Sequence, residues 1–157
     1  MKELKSFGAA LCGIGSAVCT ESHLRFHIVA ALWVTAFSAL YGLSPVQWAV
    51  LAVVIASVIA AELFNTAVES LCDRVTKEHD SYIKIAKDAC AAGVLALSLG
   101  AVAVAVVFFR DTDRLAAVFT TVFGSAGLLI SAAVSAIISA VFVALGPVGI
   151  KKLFNRK

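Results

Sequence analysis

From Leu115 to Leu145 the chain runs 31 residues without a charged side chain. An apolar stretch of about 18 residues or more reads as a helix built to cross a bilayer. Three further apolar blocks precede it, near residues 26–41, 46–71 and 85–109, and the few charges cluster between the blocks. Of the 157 residues, 61 % are hydrophobic, and the mean hydropathy is +0.98. Hydrocarbon offers the backbone no hydrogen-bond partner, so a chain crossing it must satisfy its own amides and carbonyls, which a helix does within one segment. The expected fold is therefore an all-α integral membrane protein. At 1.5 Å per residue, 115–145 extends about 46 Å, too long for one untilted span and too short for two. It divides into an interfacial lead-in and a fourth span over about Ser125–Leu145. Pro147 is expected to end that span ahead of the basic tail of Lys151, Lys152, Arg156 and Lys157.

Before the first span, Phe7, Leu11, Ile14 and Val18 follow spacings of four, three and four. They form one apolar stripe on a helix over residues 3–20, suited to lying along the membrane surface. The stretch is Gly-rich and leads into Glu21, His23 and Arg25, so an uncleaved segment is favoured over a signal peptide. Gly42-Leu-Ser-Pro45 reads as a tight turn, with Pro45 suited to opening the next helix. Residues 73–84 read as a polar loop, and 110–114 as a short connector. Two units are expected: a core over 1–110 with the interfacial helix and three spans, and an extension over 111–157 with the fourth span and tail. The N-terminal segment, the 73–88 region and the tail are rich in Lys and Arg, which sets all three on the cytoplasmic side of a multi-pass cell-membrane protein. The formal charge of +3 is small and gives no reason to expect nucleic acid as a partner. Cys12, Cys19, Cys72 and Cys90 lack zinc-site or disulfide-framework spacing and read as reduced, packed thiols.

The second span carries the chemistry. From Trp48, an interfacial anchor, Glu62 is 14 residues on, roughly 21 Å into a hydrocarbon layer about 30 Å thick. A carboxylate costs about 2.5–3.5 kcal/mol at mid-membrane on insertion scales. Glu62 is followed by Asn65, Glu69 and Asp73 at i+3, i+7 and i+11, all within one narrow helical stripe. Glu21 adds a further carboxylate near the same interface, and Arg25, Lys84 and Lys87 add cations. Carboxylates suit Mg²⁺, which is held by one or two of them plus substrate phosphates. Lysines suit phosphate as point charges. A carboxylate set deeper can serve as a general base.

No soluble nucleotide-binding signature is present. Gly8 and Gly13 have P-loop spacing, but Ile14 and Gly15 follow instead of Lys and Ser or Thr. From the residues alone, a phosphoryl-transfer site stands beside a second reading, a non-enzymatic helix-bundle oligomer forming a proton or cation pathway or a scaffold. Blander readings also exist. Glu62 and Asn65 can bind helices together, Glu21 and Arg25 can form a surface ion pair, and Lys84, Lys87 and Asp88 can anchor the membrane interface. His23 and His27 sit where histidines need no role.

The run Ala61-Glu-Leu-Phe-Asn-Thr-Ala-Val-Glu-Ser-Leu-Cys-Asp-Arg74 resembles the signature E-[LI]-x-N-[ST]-A-[IV]-E-x-x-[VC]-D of the small prokaryotic diacylglycerol kinases. Ala86-Lys-Asp88 with Ala91-Ala92 resembles the second block of that family, and Glu21-Ser-His-Leu-Arg25 the first. The resemblance covers about residues 5–109. It implies ATP- and Mg²⁺-dependent phosphorylation of a membrane lipid hydroxyl by a homotrimer with sites between subunits. By that resemblance Glu62 accepts the hydroxyl proton, supported by Asn65. Glu21 and Glu69 hold Mg²⁺, and Lys87 and Asp88 contact ATP near the Glu78-His79-Asp80 stretch. Arg25 and Asp73 are substrate-site residues. Of the family's two acceptor branches, undecaprenol and diacylglycerol, Arg25-Phe-His27 and Lys84-Ile-Ala-Lys-Asp88 look more like the former.

Overall fold

An amphipathic helix comes first. The computed structural model describes residues 2–76, 78 and 80–154, which form six helices and no strand. In α1 (Lys2–Thr20), Leu4, Phe7, Leu11 and Ile14 are exposed, so this part of the apolar stripe has no partner among the described residues and suits a membrane surface. The helix stops where Glu21 takes an extended backbone and begins α2 (Ser22–Tyr41). Gly42 ends α2 at φ 76, a left-handed conformation that glycine adopts without strain, and its amide bonds the Ser38 carbonyl. Ser44 then forms a reciprocal capping box with Gln47, and Pro45 occupies the first turn of α3 (Pro45–Val75). Such a cap stabilises a helix start by about 1 kcal/mol.

With 31 residues, α3 is about 46 Å long and outruns the hydrocarbon layer. Its last turns bring Glu69 and Asp73 out beyond the span on an unbroken helix. The loop is accordingly shorter than the expected 73–84. Helix persists to Val75, and α4 (Ser81–Phe108) begins early because Asp80 Oδ1 accepts from the amides of Tyr82 (2.8 Å) and Ile83 (3.1 Å).

The expected lead-in is a helix of its own, α5 (Thr112–Gly124), capped by Asp111. The fourth span lies in α6 (Ala126–Phe154). Pro147 does not end the helical run. The backbone leaves helical geometry one residue earlier, at Gly146 (φ 61, ψ 176), and helix then resumes to Phe154. Proline is tolerated there because it opens a new turn, where its missing N–H has no intrahelical partner to lose. Four helices, Ser22–Tyr41, Pro45–Val75, Ser81–Phe108 and Ala126–Lys152, are long and apolar enough to cross a membrane, so the all-α membrane architecture holds.

The helices α3 and α4 make the most extensive contact and run antiparallel, with Asp73 against Lys87 at one end and Ile55 near Phe108 at the other. On the other side α2 packs on α3. The far end is closed by a core of Tyr41, Leu43, Leu51 and Val118, with Phe37, Phe108 and Phe109 packed on it. The ring of Phe109 meets Phe37 (5.0 Å) and Tyr41 (5.1 Å) edge-on, a favourable quadrupole geometry. Through Val118, α5 plugs this end, and Asp111 donates its amide to the Tyr41 hydroxyl at 3.1 Å. Along α2 and α1 runs α6, with Trp33 Nε1 donating to Ser139 Oγ at 3.2 Å. The remaining faces expose large apolar residues, such as Leu95, Leu99, Val102 and Val106 on α4. That is ordinary for lipid-facing helices.

Candidate active site

Glu62 is 4 % exposed, deep on α3 among apolar neighbours. Such a group needs a partner, and it finds one on the neighbouring helix: His27 Nε2 of α2 lies 3.1 Å from Glu62 Oε1. One turn further along the stripe, Asn65 donates from Nδ2 to Glu69 Oε1 at 3.1 Å. That bond orients the Glu69 carboxylate, while Asn65 Oδ1 is buried with no hydrogen-bond partner. At the end of the stripe Asp73 Oδ1 accepts from Lys87 Nζ at 2.8 Å, across the α3–α4 contact. Lys84 and Asp88 pair at 2.6 Å, one turn apart on α4.

Two compartments flank the stripe. Beyond the span, Asp73, Thr76, Glu78, Lys84, Lys87 and Asp88, with Asp80 and Ile83, line an open depression of about 690 Å³. Its walls offer both ammonium groups and carboxylates, the mixture that nucleotide phosphates with a divalent cation require. Within the span, α2 and α4 straddle α3 and leave a groove of about 250 Å³, lined by Ala31, Val34, Val58, Ala101 and Ala105, with His27 among its walls. The groove runs roughly 12 Å along the helices, from His27 to Phe108 and Phe109, where the aromatic cluster closes it. Small alanines and valines keep it open, because larger side chains from three helices would fill it.

The model of the family described as prokaryotic diacylglycerol kinase matches residues 8–109, from α1 to the end of α4. The chain belongs to the prokaryotic diacylglycerol kinase family. It is a lipid kinase. It is similar to the undecaprenol kinase of Bacillus subtilis (strain 168), 38 % identical over 90 residues, which cover 57 % of this chain and 73 % of that protein. It is also similar to the diacylglycerol kinase of Synechocystis sp. (strain PCC 6803), 36 % identical over 102 residues, 64 % of this chain but only 58 % of that relative. No solved structure gives a significant match.

In this kinase the expected site residues fall into distinct groups. Glu62, Asn65, Glu69 and Asp73 share one face of α3, as their spacing predicts, and Lys87 joins them through Asp73. Glu78 and Asp88 line the polar depression with Asp80, whose Oδ1 serves as the cap of α4. His79 lies outside the described residues. Glu21 stands at the elbow between α1 and α2, half-buried, and its side chain makes no capping bond. Arg25 is occupied elsewhere. Its guanidinium donates to the carbonyls of Val18 (3.0 Å), Cys19 (3.4 Å) and, on α6, Val143 (3.1 Å), instead of pairing with Glu21. Among the described residues no three His, Cys, Asp or Glu side chains converge as a metal cluster. Mg²⁺ bound with nucleotide phosphates needs only one or two carboxylates, and Glu69, already oriented by Asn65, suits that donor set.

His27 is the residue that sequence reasoning left without a role. No spacing within α2 links it to Glu62, 35 positions away on another helix. Only the α2–α3 packing joins them.

Proposed function

We propose that the kinase transfers the γ-phosphoryl group of ATP to the hydroxyl of a membrane lipid alcohol at the cytoplasmic face of the cell membrane, with undecaprenol preferred over diacylglycerol. One observation carries this reading: along α3, the buried carboxylate Glu62 follows the residues of an apolar groove and precedes those of a polar, lysine-bearing depression. An apolar groove walled by alanines and valines suits the hydrocarbon of a lipid acceptor. The similarity to an undecaprenol kinase supports the preference for undecaprenol.

The lipid hydroxyl lies at the groove's polar end, beside Glu62. Its oxygen bonds to the γ-phosphorus, the bond from that phosphorus to the bridging oxygen of ADP breaks, and the hydroxyl proton passes to the Glu62 carboxylate. General-base assistance of this kind contributes about 10²–10⁴-fold. Lys87 and Asp88 bind ATP, with Glu78, His79 and Asp80 near it, and Asp73 holds the Lys87 ammonium in place at 2.8 Å. Asn65 holds the Glu69 carboxylate in place through its Nδ2 donor. Glu69 and Glu21 would hold Mg²⁺ with the nucleotide, and the bound ion would supply neutralisation of the phosphate charge. Arg25, bonded to carbonyls on α1 and α6, serves the site by fixing the elbow that carries Glu21. The kinase works as a homotrimer, in which a neighbouring subunit completes each site.

The test supplies purified protein in detergent micelles with labelled ATP, Mg²⁺ and either lipid. Label is expected in both phosphorylated lipids, faster in undecaprenol. Folded protein that labels neither lipid sinks the reading.

A further inference from the structure

Among the described residues, Glu62 pairs with one side chain. Oε1 faces His27 Nε2 at 3.1 Å. An ionised carboxylate can only accept, so a proton carried on Nε2 would make the imidazole its donor at this distance. The His27 ring is itself held. Phe26 meets it edge-on at 5.5 Å with an interplanar angle of 77°, and its side chain is only 18 % exposed. The ring also lines the apolar groove, with Ala30, Ala31 and Val34 following it along α2. One side chain therefore reaches both the buried carboxylate and the apolar groove.

This position has a chemical consequence. A carboxylate alone among aliphatic side chains is free to swing, and general-base catalysis depends on geometry before basicity. A donor on Oε1 fixes the carboxylate plane and leaves Oε2 as the acceptor for an arriving hydroxyl. Imidazole suits this task better than Lys or Arg. Lys and Arg reach their partners on long flexible stems, whereas the imidazole is short and planar. Its flat apolar faces also pack against a hydrocarbon chain. We propose that His27 is a positioning residue for the proton acceptor Glu62: it orients the carboxylate and forms the polar stop of the groove, so that the acceptor's hydroxyl halts beside Oε2. This rests on the reading of Glu62 as the base in lipid phosphorylation.

Three variants test it in the full chain in detergent. His27→Ala is expected to lower kcat at saturating lipid by roughly 10–100-fold, the loss of one hydrogen bond to a charged group, with KM for ATP unchanged. His27→Gln can place an amide N–H where Nε2 stood and is expected to recover most of that loss. His27→Phe keeps the ring without the donor and is expected to stay as slow as His27→Ala. Wild-type kcat in His27→Ala, or a His27→Gln no faster than His27→Phe with all three equally folded, overturns the inference. A second readout needs no turnover. The ¹⁵N signals of the His27 ring in micelles are expected to move in Glu62→Gln, and an unmoved spectrum overturns the pair. Active wild type with an indifferent His27 defeats this inference alone. Wild type inactive on every lipid alcohol defeats the kinase chemistry proposed above, while the ¹⁵N experiment still decides the pair.

Discussion

The Arg25 guanidinium packs directly against the backbone of Gly146. A β-carbon built on Gly146 would sit 2.9 Å from the guanidinium carbon and from Nη1, inside any real contact distance. Gly146 also holds φ 61 and ψ 176, a region that only glycine adopts readily. The break in α6 and the cation from α2 therefore fit together. The kink admits the guanidinium, and the guanidinium bonds the Val143 carbonyl next to the kink at 3.1 Å.

Gly146→Ala is accordingly expected to destabilise the protein by about 1–3 kcal/mol, from backbone strain alone. Thermal unfolding in detergent should show a clearly lower midpoint than wild type, and an unchanged midpoint would contradict the fit. Arg25→Lys should fall between wild type and Arg25→Ala, because an ammonium lacks the planar fork that reaches carbonyls on two helices at once.

Along the α3 stripe, the two glutamates should separate in kinetics. Glu62→Gln is expected to abolish turnover, by at least about 10²-fold, with ATP affinity near wild type. Glu69→Gln should weaken Mg-ATP binding and raise the Mg²⁺ concentration needed for half-maximal rate. Equal behaviour of the two variants, measured by steady-state kinetics and nucleotide binding, would refute the division of roles.

The Asp73–Lys87 pair is exposed enough to add little to stability, since Asp73 has 70 % of its side chain accessible. Asp73→Asn should shift unfolding by less than about 1 kcal/mol. It should nevertheless raise KM for ATP, because Lys87 loses the partner that holds it over the depression. A large stability loss without a change in KM would show the pair to be structural.

Filling the groove should touch the lipid side only. Ala105→Phe places a ring among Leu51, Ile55 and Phe108 and is expected to raise KM for the lipid several-fold while nucleotide binding stays as in wild type. Comparing undecaprenol with a short-chain prenol sharpens the result, because the shorter acceptor should tolerate the variant better.

Much of this was legible in the chain. Uncharged runs marked the spans, Gly42 and Pro45 marked the turn, and the periodicity of Glu62, Asn65, Glu69 and Asp73 placed them on one face. Such features are local, set by hydrocarbon solvation and by 3.6 residues per turn. The loop is shorter than its polar residues suggest because Asp80 caps α4 so early, and Pro147 does not end the helical run because helix resumes after the break at Gly146.

The sequence by itself determined the class of protein, the number of spans, and the α3 stripe, since each follows from composition and spacing along one helix. Tertiary structure decided three things that no spacing encodes. It joined His27 to Glu62, turned Arg25 away from Glu21 toward α6, and left the groove between α2 and α4. All three depend on which helix faces which, and in a bilayer that choice rests on close packing and on a few polar contacts between helices. Hydropathy cannot reveal it, because lipid and neighbouring helix present the same apolar surface.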